Sequence, residues 1–457
     1  MGFLVKLFFL ISTVLIGYAI HQLLQVPPLP QLEDVWWGPR DATKEDTSIK
    51  PFKINVSDEV LKDLKLRLQQ ARPFVPPLEG VQHQYGLNTN LLKKFVDYWL
   101  TKYDWREREK FLNQFPQYKV SVQGLQLHYL HVKPKNPGNL KVYPLLILHG
   151  WPGSVREFYE IIPLLTTPQK GRDFVFEVIA PSLPGYGFSE AAVKPGLSAL
   201  HVAVLFKNFM KRLGFDKYYL QGGDWGGVIV QHMSVLYPER VLGVHSNMCF
   251  VNTRLSNLKT FIGSFIPQLV VDKEHAHLMY PLSEKFANIL LESGYLHLQA
   301  TKPDTVGVGL NDSPVGLAAY ILEKFITWTN PDWKNYIDGK LTERFDYTKL
   351  LDNIMIYWVT NSITTSVRLY SETFNKAHFS LGVDQNPINV PSACARFKHE
   401  LVYQSTCILS EKFKNLVHVS DLDGGHFAAF EVPNVLANDI YDSVAKMIEF
   451  GKTANKK

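Results

Sequence analysis

The stretch that most constrains this chain is an apolar strand that runs into a glycine-flanked aspartate and then into a helix. Residues 218–227 read YYLQGGDWGG, and a helical pattern follows over residues 228–236. Gly222 and Gly226 stand two residues before and after Asp224. A side chain presented at a sharp strand-to-helix turn needs small neighbours there, because the turn leaves no room for larger ones. The spacing therefore predicts a nucleophile elbow with Asp224 at its tip.

An aspartate where serine is usual narrows the chemistry of such an elbow. A carboxylate nucleophile forms an ester with its substrate, so it attacks an sp3 carbon that bears a leaving group, as in an epoxide or a halide. The competing interpretation is a glycine-rich turn in which Asp224 only caps a helix, a common arrangement. The elbow alone does not decide between these two, and the decision depends on partner residues elsewhere in the chain.

Strand and helix patterns alternate around the elbow. Two runs, 119–122 and 125–132, are split by Gly124 and predict a hairpin. The runs 143–148 and 174–180 are continuously apolar, as in strands buried on both faces of a sheet. Further strands and helices are indicated at 198–213, 241–246, 390–396, 416–420 and 435–450. This order predicts an α/β fold with a doubly wound, mostly parallel sheet, whose ligands bind beyond the carboxyl ends of the strands.

Helical patterns dominate the chain on both sides of this core. Helices that begin near Ser57, Asn88 and Trp105 precede any predicted strand and form a helical N-terminal segment. Patterns at 282–293, 316–328 and 349–370 are rich in Phe, Tyr and Trp and predict an inserted helical lid. The predicted divisions are a membrane anchor (1–25), a linker with the N-terminal segment (26–118), the first part of the core (119–246), the lid (247–374) and the second part of the core (375–457).

The first residues of the chain predict a membrane anchor. Residues 7–20 are almost wholly apolar, and the run extends over 3–24 if Lys6 and His21 lie at the interfaces. About 20 residues are needed to span a bilayer, so the run is long enough. A cleaved signal peptide is the alternative, because residues 17–19 offer a small-residue cleavage site. The anchor is favoured since apolar residues continue beyond that site, and the orientation in the membrane stays open.

Charge and cysteine content exclude some classes of function. The formal net charge is only +5 over 457 residues and no basic run occurs, which argues against a nucleic-acid partner. The three cysteines, Cys249, Cys394 and Cys407, have neither the spacing of a metal site nor that of a disulfide framework. We expect three buried thiols.

A carboxylate ester must be hydrolysed by water, and that water needs a base. His426 is the best candidate, because it is the last histidine and lies on a glycine-rich stretch after the last strand. An acid must orient its imidazole. The stretch after the strand at 241–246 carries Asn247 and no acid, whereas Glu400 follows the strand at 390–396. The order Asp224, Glu400, His426 therefore predicts nucleophile, charge partner and base, with a solvated loop charge as the competing interpretation of Glu400.

An oxyanion hole is expected next to the nucleophile. The stretch His149-Gly150-Trp151-Pro152 follows a predicted buried strand. In a fold with such an elbow, one backbone N–H comes from this loop and another from the residue after the nucleophile. Trp151 and Trp225 are the residues predicted to supply these N–H groups.

At this point the chain resembles the microsomal-type epoxide hydrolases of the α/β-hydrolase superfamily, and among them the insect juvenile hormone epoxide hydrolases. The stretches that carry the resemblance are 149–158, 180–189, 221–226, 292–322, 398–404 and 424–431. The resemblance implies that Asp224 is the nucleophile, His426 the base and Glu400 its charge partner. It also implies two lid tyrosines, Tyr295 and Tyr370, that hydrogen-bond the epoxide oxygen.

The function implied by this resemblance is hydrolysis of a lipophilic epoxide, juvenile hormone or a xenobiotic, to a vicinal diol through an Asp224 ester. No cofactor or metal is expected, and the enzyme is expected to be anchored in the endoplasmic reticulum membrane. Two alternatives stay open at this stage. A haloalkane dehalogenase would share the aspartate elbow but would bind a halide, and a catalytically inactive membrane scaffold could keep the fold without turnover.

Overall fold

A computed structural model describes residues 2–39 and 45–454 of the chain. The strands are β1 Lys50–Phe52, β2 Gln117–Val122, β3 Leu125–Val132, β4 Lys141–Leu148, β5 Phe174–Pro181, β6 Tyr218–Gly222, β7 Val241–Ser246, β8 Ile388–His399 and β9 Phe413–Gly425. The helices are α1 Gly2–Leu24, α2 Asp58–Gln69, α3 Thr89–Thr101, α4 Trp105–Leu112, α5 Ile161–Thr166, α6 Ala199–Arg212, α7 Asp224–Leu236, α8 Arg254–Gly263, α9 Ala276–Met279, α10 Leu282–Glu292, α11 Gly294–Thr301, α12 Pro303–Asp312, α13 Pro314–Thr327, α14 Tyr347–Thr360, α15 Ile363–Thr373, α16 Lys376–Ser380, α17 Thr406–Leu409, α18 Ala428–Glu431 and α19 Pro433–Ala454.

One mixed sheet forms the centre of the molecule. Within the described residues it has nine strands in the order β1-β2-β3-β5-β4-β6-β7-β8-β9. The pairs from β1 to β5 are antiparallel and those from β5 through β4 to β9 are parallel. The strand β6, which leads into the elbow, lies between β4 and β7 and is buried along its whole length. The predicted doubly wound α/β fold is confirmed.

The strand predictions were incomplete at the edge strand β1 and at the last strand. The short strand β1 was not predicted, because three residues at the edge of the sheet are too few for an alternating pattern. The last strand is longer than the predicted run 416–420 and extends to Gly425. His426 therefore follows β9 directly, at its carboxyl end.

The helical insertion between β7 and β8 contains α8 to α16. The pattern at 349–370 was predicted to be one helix, and this was wrong, since it belongs to two helices, α14 and α15. The break falls at Asn361, whose φ of 51° is left-handed. Asparagine tolerates that conformation and commonly ends a helix in this way. The break gives α15, which carries Tyr370, its own direction.

A buried ion cluster fastens three parts of the chain together. The carboxylate of Asp352 on α14 is fully buried. It accepts hydrogen bonds from Arg108 Nη2 on α4 at 2.7 Å, from Arg156 Nε in the loop after β4 at 2.9 Å, and from the Tyr103 hydroxyl at 3.0 Å. A buried carboxylate is tolerated only when it is paired and hydrogen-bonded in this way. The cluster thus fixes the lid against the N-terminal segment and the loop after β4.

The expectation of three thiols was wrong for two of the cysteines. Cys249, in the stretch after β7, and Cys394, on β8, form a disulfide with their Cα atoms 5.8 Å apart. The two cysteines are 145 residues apart along the chain, so the sequence does not indicate that they pair. The parallel neighbours β7 and β8 bring them together. Cys407 is the free, half-buried cysteine of the described residues.

Most of the described side chains of the N-terminal helix α1 are exposed. Its segment Val5–Leu24 has a mean hydropathy of 1.9 and is long and apolar enough to cross a membrane. This segment is not buried against the rest of the protein. After it, the chain returns to the body, where Trp37 is buried and its backbone N–H donates to Gln123 O at 2.8 Å. The tryptophan pair at 36–37 therefore packs against the body.

Candidate active site

Asp224 stands at the predicted elbow, as the first residue of α7, and only Gly223 separates it from β6. Its φ is 49°, in the left-handed region. A Cβ added to Gly222 would lie 2.5 Å from the Gly226 carbonyl carbon, and one added to Gly226 would lie 2.1 Å from Leu148 O. Real Cβ atoms do not approach so closely, so both positions require glycine. The crowding that the sequence predicted around the nucleophile position is therefore present.

The carboxylate of Asp224 is held by the loop that follows β4. Trp151 N–H donates to Asp224 Oδ1 at 2.7 Å. A Cβ on Gly150 would lie 2.0 Å from that same oxygen, so only glycine lets the loop come this near. Trp225 follows Asp224 in the first turn of α7, where backbone N–H groups have no partner within the helix. The structure thus places the Trp151 N–H on the carboxylate, and Trp225 is the next residue after Asp224 along the chain.

Helix α14 of the lid holds this loop in place. Asn353 Nδ2 donates to Pro152 O at 2.8 Å, and the Tyr357 hydroxyl donates to Gly153 O at 2.6 Å. The Ser154 hydroxyl in turn donates to Asn353 Oδ1 at 2.7 Å. These three buried hydrogen bonds position the Trp151 N–H from outside its own loop. Sequence analysis missed them, because they join residues about 200 positions apart.

His426 and Glu400 come together beside Asp224. His426 Nδ1 lies 2.5 Å from Glu400 Oε1, and His426 Nε2 lies 3.4 Å from Asp224 Oδ2. Glu400 follows β8, and its Oε1 also accepts the Leu401 N–H at 2.7 Å. The side chains of His426 and Glu400 are both 3% exposed. The two parallel strands β8 and β9 bring the pair together, since Glu400 and His426 each follow the end of one of them.

The charges of this group determine the protonation of the imidazole. Burial disfavours the protonated form of His426, but the charges and hydrogen bonds of Glu400 and Asp224 outweigh it. The pKa of His426 therefore lies well above its ordinary value. The raised pKa favours the imidazolium form of His426 while Asp224 is a carboxylate. Removing that charge takes away one of the two anions that support the imidazolium, which lowers the pKa of His426.

Tyr295 on α11 and Tyr370 on α15 lie against the two tryptophans of the site. The Tyr295 ring stacks on the Trp151 ring with centroids 5.6 Å apart, and Tyr370 meets the Trp225 ring edge-to-face at 4.8 Å. The two tyrosine rings are 6.1 Å apart. Burial, together with the charge of Asp224, raises the pKa of both hydroxyls well above the ordinary tyrosine value. Both hydroxyls therefore stay protonated and can donate hydrogen bonds.

One further carboxyl group, which sequence analysis did not single out, belongs to this site. A small cavity of about 20 Å³ adjoins Asp224 and His426, and Glu157 forms part of its wall. Burial is the main cause that raises the pKa of Glu157 to about 8. The charge of Asp224 also raises this pKa, whereas His426 lowers it. Glu157 is therefore a neutral acid at pH 7. The sequence carries no signal that singles out Glu157, because Arg156 and Glu160 are charged residues of the same stretch.

The only group of potential metal ligands among the described residues lies elsewhere. His232, His378 and Asp384 have ligand atoms within 4.8 Å of one another. His232 Nε2 lies 3.3 Å from Asp384 Oδ1, and the buried Lys412 ammonium lies 3.8 Å from that oxygen. Lys412 already supplies a positive charge beside this carboxylate. We assign no metal to the group.

Comparisons with known proteins find two family descriptions and several relatives that this chain matches. Residues 49–158 match the family described as epoxide hydrolase N terminus, and residues 143–433 match the alpha/beta hydrolase fold. The chain is 55% identical over 445 residues to juvenile hormone epoxide hydrolase 1 of Ctenocephalides felis, covering 96% of each. It is 45% identical over 417 residues to epoxide hydrolase 1 of Sus scrofa, covering 90% of this chain and 92% of that protein.

A solved structure extends the similarity to three dimensions. The crystal structure of juvenile hormone epoxide hydrolase from the silkworm Bombyx mori superimposes with a TM-score of 0.90 at 51% identity. The match covers 92% of this chain and 100% of that chain. The structure of Aspergillus niger epoxide hydrolase matches with a TM-score of 0.71 at 27% identity, covering 88% of this chain and 97% of the other.

Proposed function

This chain belongs to the epoxide hydrolases of the α/β-hydrolase fold, and on that premise we propose that it opens juvenile hormone, a lipophilic epoxide, to the vicinal diol. Relatives that carry the name juvenile hormone epoxide hydrolase are 46 to 55% identical to it over 94 to 96% of this chain. The rings of Tyr295, Tyr320, Trp328 and Tyr370 surround Trp151 and give the lid side of the site an apolar, aromatic character. An apolar substrate fits such a lining.

In the first step that we propose, Asp224 attacks one carbon of the epoxide ring. A new C–O bond forms between the carboxylate and that carbon, and the ring C–O bond breaks. The electron pair of the broken bond stays on the epoxide oxygen, which becomes an alkoxide. Tyr295 and Tyr370 donate hydrogen bonds to this oxygen, and one of them gives it a proton. The product is a hydroxyalkyl ester of Asp224.

The second step hydrolyses that ester. His426 takes a proton from water, and the hydroxide adds to the carbonyl carbon of Asp224. The N–H groups of Trp151 and Trp225 stabilise the oxyanion, and the bond between this carbon and the substrate oxygen then breaks. The leaving alkoxide takes the proton from His426 and departs as the diol. The new Asp224 carboxyl group then gives its proton to the imidazole, which restores the carboxylate of Asp224 and the imidazolium of His426. The observation that carries this scheme is the contact of Asp224 with both Trp151 N–H at 2.7 Å and His426 Nε2 at 3.4 Å.

The first step prepares the second through charge. While Asp224 is a carboxylate, it helps to keep His426 protonated, so the imidazole is not yet a base. Ester formation neutralises Asp224 and leaves Glu400 as the remaining anion beside the ring. The pKa of His426 then falls, so the imidazolium gives up its proton, which replaces the proton that the tyrosine gave to the alkoxide. The neutral imidazole can now accept a proton from water. The base is therefore active only when an ester is present to be hydrolysed.

The tyrosines provide a first prediction. Tyr295→Phe and Tyr370→Phe each remove one donor to the developing alkoxide, and losing one such donor typically slows the reaction by about 10²–10³. Because the two donors partly substitute for each other, the double variant is expected to be much slower than either single one. Single-turnover kinetics should show slow ester formation without ester accumulation. Tyr320→Phe, which removes a neighbouring hydroxyl, is the matched control and should keep the wild-type rate. Ester accumulation in the tyrosine variants would contradict their role.

A second prediction concerns the substrate. Each additional buried methylene contributes about 0.8 kcal/mol to binding, so a long terpenoid epoxide should be favoured strongly over a small aryl epoxide. We expect kcat/KM for juvenile hormone to exceed that for a small aryl epoxide by at least about 10², which corresponds to a little under 3 kcal/mol. Side-by-side turnover assays of the two compounds measure this ratio. An equal or inverted ratio would argue for a xenobiotic substrate and against the hormone.

The two alternatives left open by the sequence lose their support. Membership in the epoxide hydrolases argues against a haloalkane dehalogenase. The ion pair of His426 with Glu400 beside Asp224 is the arrangement that turnover requires, so it argues against an inactive scaffold. A chloride-release assay on alkyl halides is the direct control for the first alternative, and we expect no release.

We also propose that α1 anchors the enzyme in the endoplasmic reticulum membrane. The length and apolar character of Val5–Leu24 support this assignment, as does the absence of burial over that segment. A membrane location suits a substrate that dissolves in lipid. A spin label at position 14 of α1 tests the anchor, because a label in lipid collides with oxygen and not with a water-soluble nickel chelate.

A further inference from the structure

The first helices of the lid expose an unusual amount of apolar surface. Large apolar side chains that are 58% to 78% exposed occur on α8, on the stretch after it and on α10: Phe261, Phe265, Leu269, Phe286, Leu290 and Leu291. We call these six residues the apolar lid face. Singly exposed apolar residues are normal on a protein surface, but a concentration of this kind marks an interaction site.

The helix α10 shows most clearly that this surface has no partner within the described chain. None of its eleven residues is buried. Phe286, Ile289 and Leu290 recur at the spacing of one helix face, with Glu284 and Asn288 among the polar positions. An amphipathic helix whose apolar side is uncovered is typical of a helix that lies in a membrane interface.

The two parts of the apolar lid face adjoin each other. Tyr280 immediately precedes the start of α10, and its hydroxyl donates to Thr260 O on α8 at 3.0 Å. Tyr280 also packs over Gly263, where a Cβ would lie 1.9 Å from its hydroxyl oxygen. The N-terminal end of α10 is thus fastened to the C-terminal half of α8.

The proposed membrane anchor contacts the same helix. Arg254, the first residue of α8, donates from Nη1 to Gln22 O near the end of α1 at 2.7 Å. Phe261 and Phe265 follow Arg254 by seven and eleven residues, which is about 10 to 16 Å along the chain if it rises as a helix. The apolar lid face therefore begins where α1 meets the body.

We propose that the apolar lid face is inserted into the lipid bilayer beside α1, so that the lid takes its substrate directly from the membrane. This inference rests on the proposed anchor and goes beyond it, because it gives the lid its own membrane contact. The chain also connects this surface to the chemistry. Only Ser293 separates α10 from α11, which carries Tyr295. A lipophilic epoxide that enters beside α10 thus arrives next to a residue that holds its oxygen.

Spin labelling of the full-length protein in phospholipid nanodiscs tests this proposal without any need for turnover. A Cys407→Ser background removes the free thiol of the described residues. Single labels are then attached at Phe265→Cys and Leu290→Cys on the lid, at Val14→Cys in α1, and at Leu78→Cys and Tyr85→Cys as controls. Leu78 and Tyr85 are exposed apolar residues of the N-terminal segment, 64% and 82% exposed. Collision with oxygen, which concentrates in lipid, is compared with collision with a water-soluble nickel chelate.

The proposal predicts that the labels at 265 and 290 collide with oxygen and lose contact with nickel, as the label at 14 does, while those at 78 and 85 stay open to nickel. Nickel contact at 265 and 290 equal to that at 78 and 85 would overturn it, even if 14 lies in lipid. Dipolar broadening at 265 or 290, with protection from both reagents, would mean that a second copy covers the face and would overturn it too. Nickel contact at 14 would refute the anchor, and the proposal with it.

A kinetic comparison adds a functional test. Phe265→Ser and Leu290→Ser should reduce turnover of an epoxide dissolved in the vesicle membrane, while Leu78→Ser should not. Turnover of a water-soluble epoxide by all three variants should match the wild type, because none of these residues lies in the catalytic site. An equal loss for both substrates would indicate damage to the lid instead of lost access from the membrane and would contradict the proposal.

Discussion

Asp224→Asn is expected to reduce diol formation on the order of 10⁵–10⁶-fold, the scale on which removing a catalytic nucleophile acts in a hydrolase. Asparagine has the shape of aspartate and tolerates the positive φ of 49° at this position, so the variant isolates the loss of the nucleophilic charge. Nothing else at the elbow can form the ester, because the flanking positions are glycines and tryptophans without a nucleophilic group. Product formation is followed by chromatography of the diol.

Two controls accompany this variant. Asp224→Ala removes the side chain altogether and should be equally inactive, although alanine is less suited to the left-handed backbone and its folding must be checked by circular dichroism. Asp423→Asn changes an exposed acid three residues before His426 and should leave turnover within about twofold. Turnover by a folded Asp224→Ala enzyme at more than a trace of the wild-type rate would refute the assignment of the nucleophile.

His426→Gln is expected to allow ester formation and to slow hydrolysis of the ester. Ring opening needs Asp224 and the tyrosines but no base, so the ester should still form. Hydrolysis of the ester loses its general base, which typically contributes about 10²–10⁴ in rate. A covalent adduct should therefore accumulate. Intact-protein mass spectrometry should show an increase equal to the full mass of the epoxide, because ring opening expels no atom. Absence of an adduct from His426→Gln, with an adduct in the tyrosine variants, would reverse the proposed roles.

Glu400→Gln should behave as a weaker form of the same change. The amide can still accept a hydrogen bond from His426 Nδ1, which now lies 2.5 Å from Glu400 Oε1, but it carries no charge. Since that charge raises the pKa of His426, its loss lowers this pKa. The base form then exists at lower pH, so the acidic limb of the hydrolysis step should shift to lower pH, while the weaker base lowers the plateau. An unchanged pH profile would mean that Glu400 does not act through the imidazole charge.

The meeting of the three residues that we propose as nucleophile, base and charge partner could be predicted from the order of the chain. Asp224, Glu400 and His426 each follow a strand of the parallel part of the sheet, and parallel strands bring their carboxyl ends to one edge. Once the strands are recognised, the sequence order alone therefore indicates which side chains meet. The glycines around Asp224 were informative because their requirement is local and steric.

Features that depend on packing between distant helices could not be predicted in this way. Tyr295 and Tyr370 were assigned through a family resemblance, since two residues of α11 and α15 come near each other only by packing on Trp151 and Trp225. The hydrogen bond of Asn353 to the loop after β4 likewise arises from the lid closing over the sheet. Glu157 is buried in the wall of the cavity beside Asp224 and His426, where residues of several separate stretches meet. No spacing or periodicity in the sequence carries that information.

A single turnover in water labelled with heavy oxygen tests the central claim most directly. In the proposed mechanism the hydroxide adds to the carbonyl carbon of Asp224, so one oxygen of the first diol comes from Asp224 and the water oxygen stays in the carboxylate. With enzyme in excess over substrate, the diol should be unlabelled, and the peptide that contains Asp224 should gain about 2 Da, as one heavy oxygen requires. A labelled diol with an unlabelled Asp224 peptide would show that water opens the epoxide directly, and the covalent mechanism would be wrong.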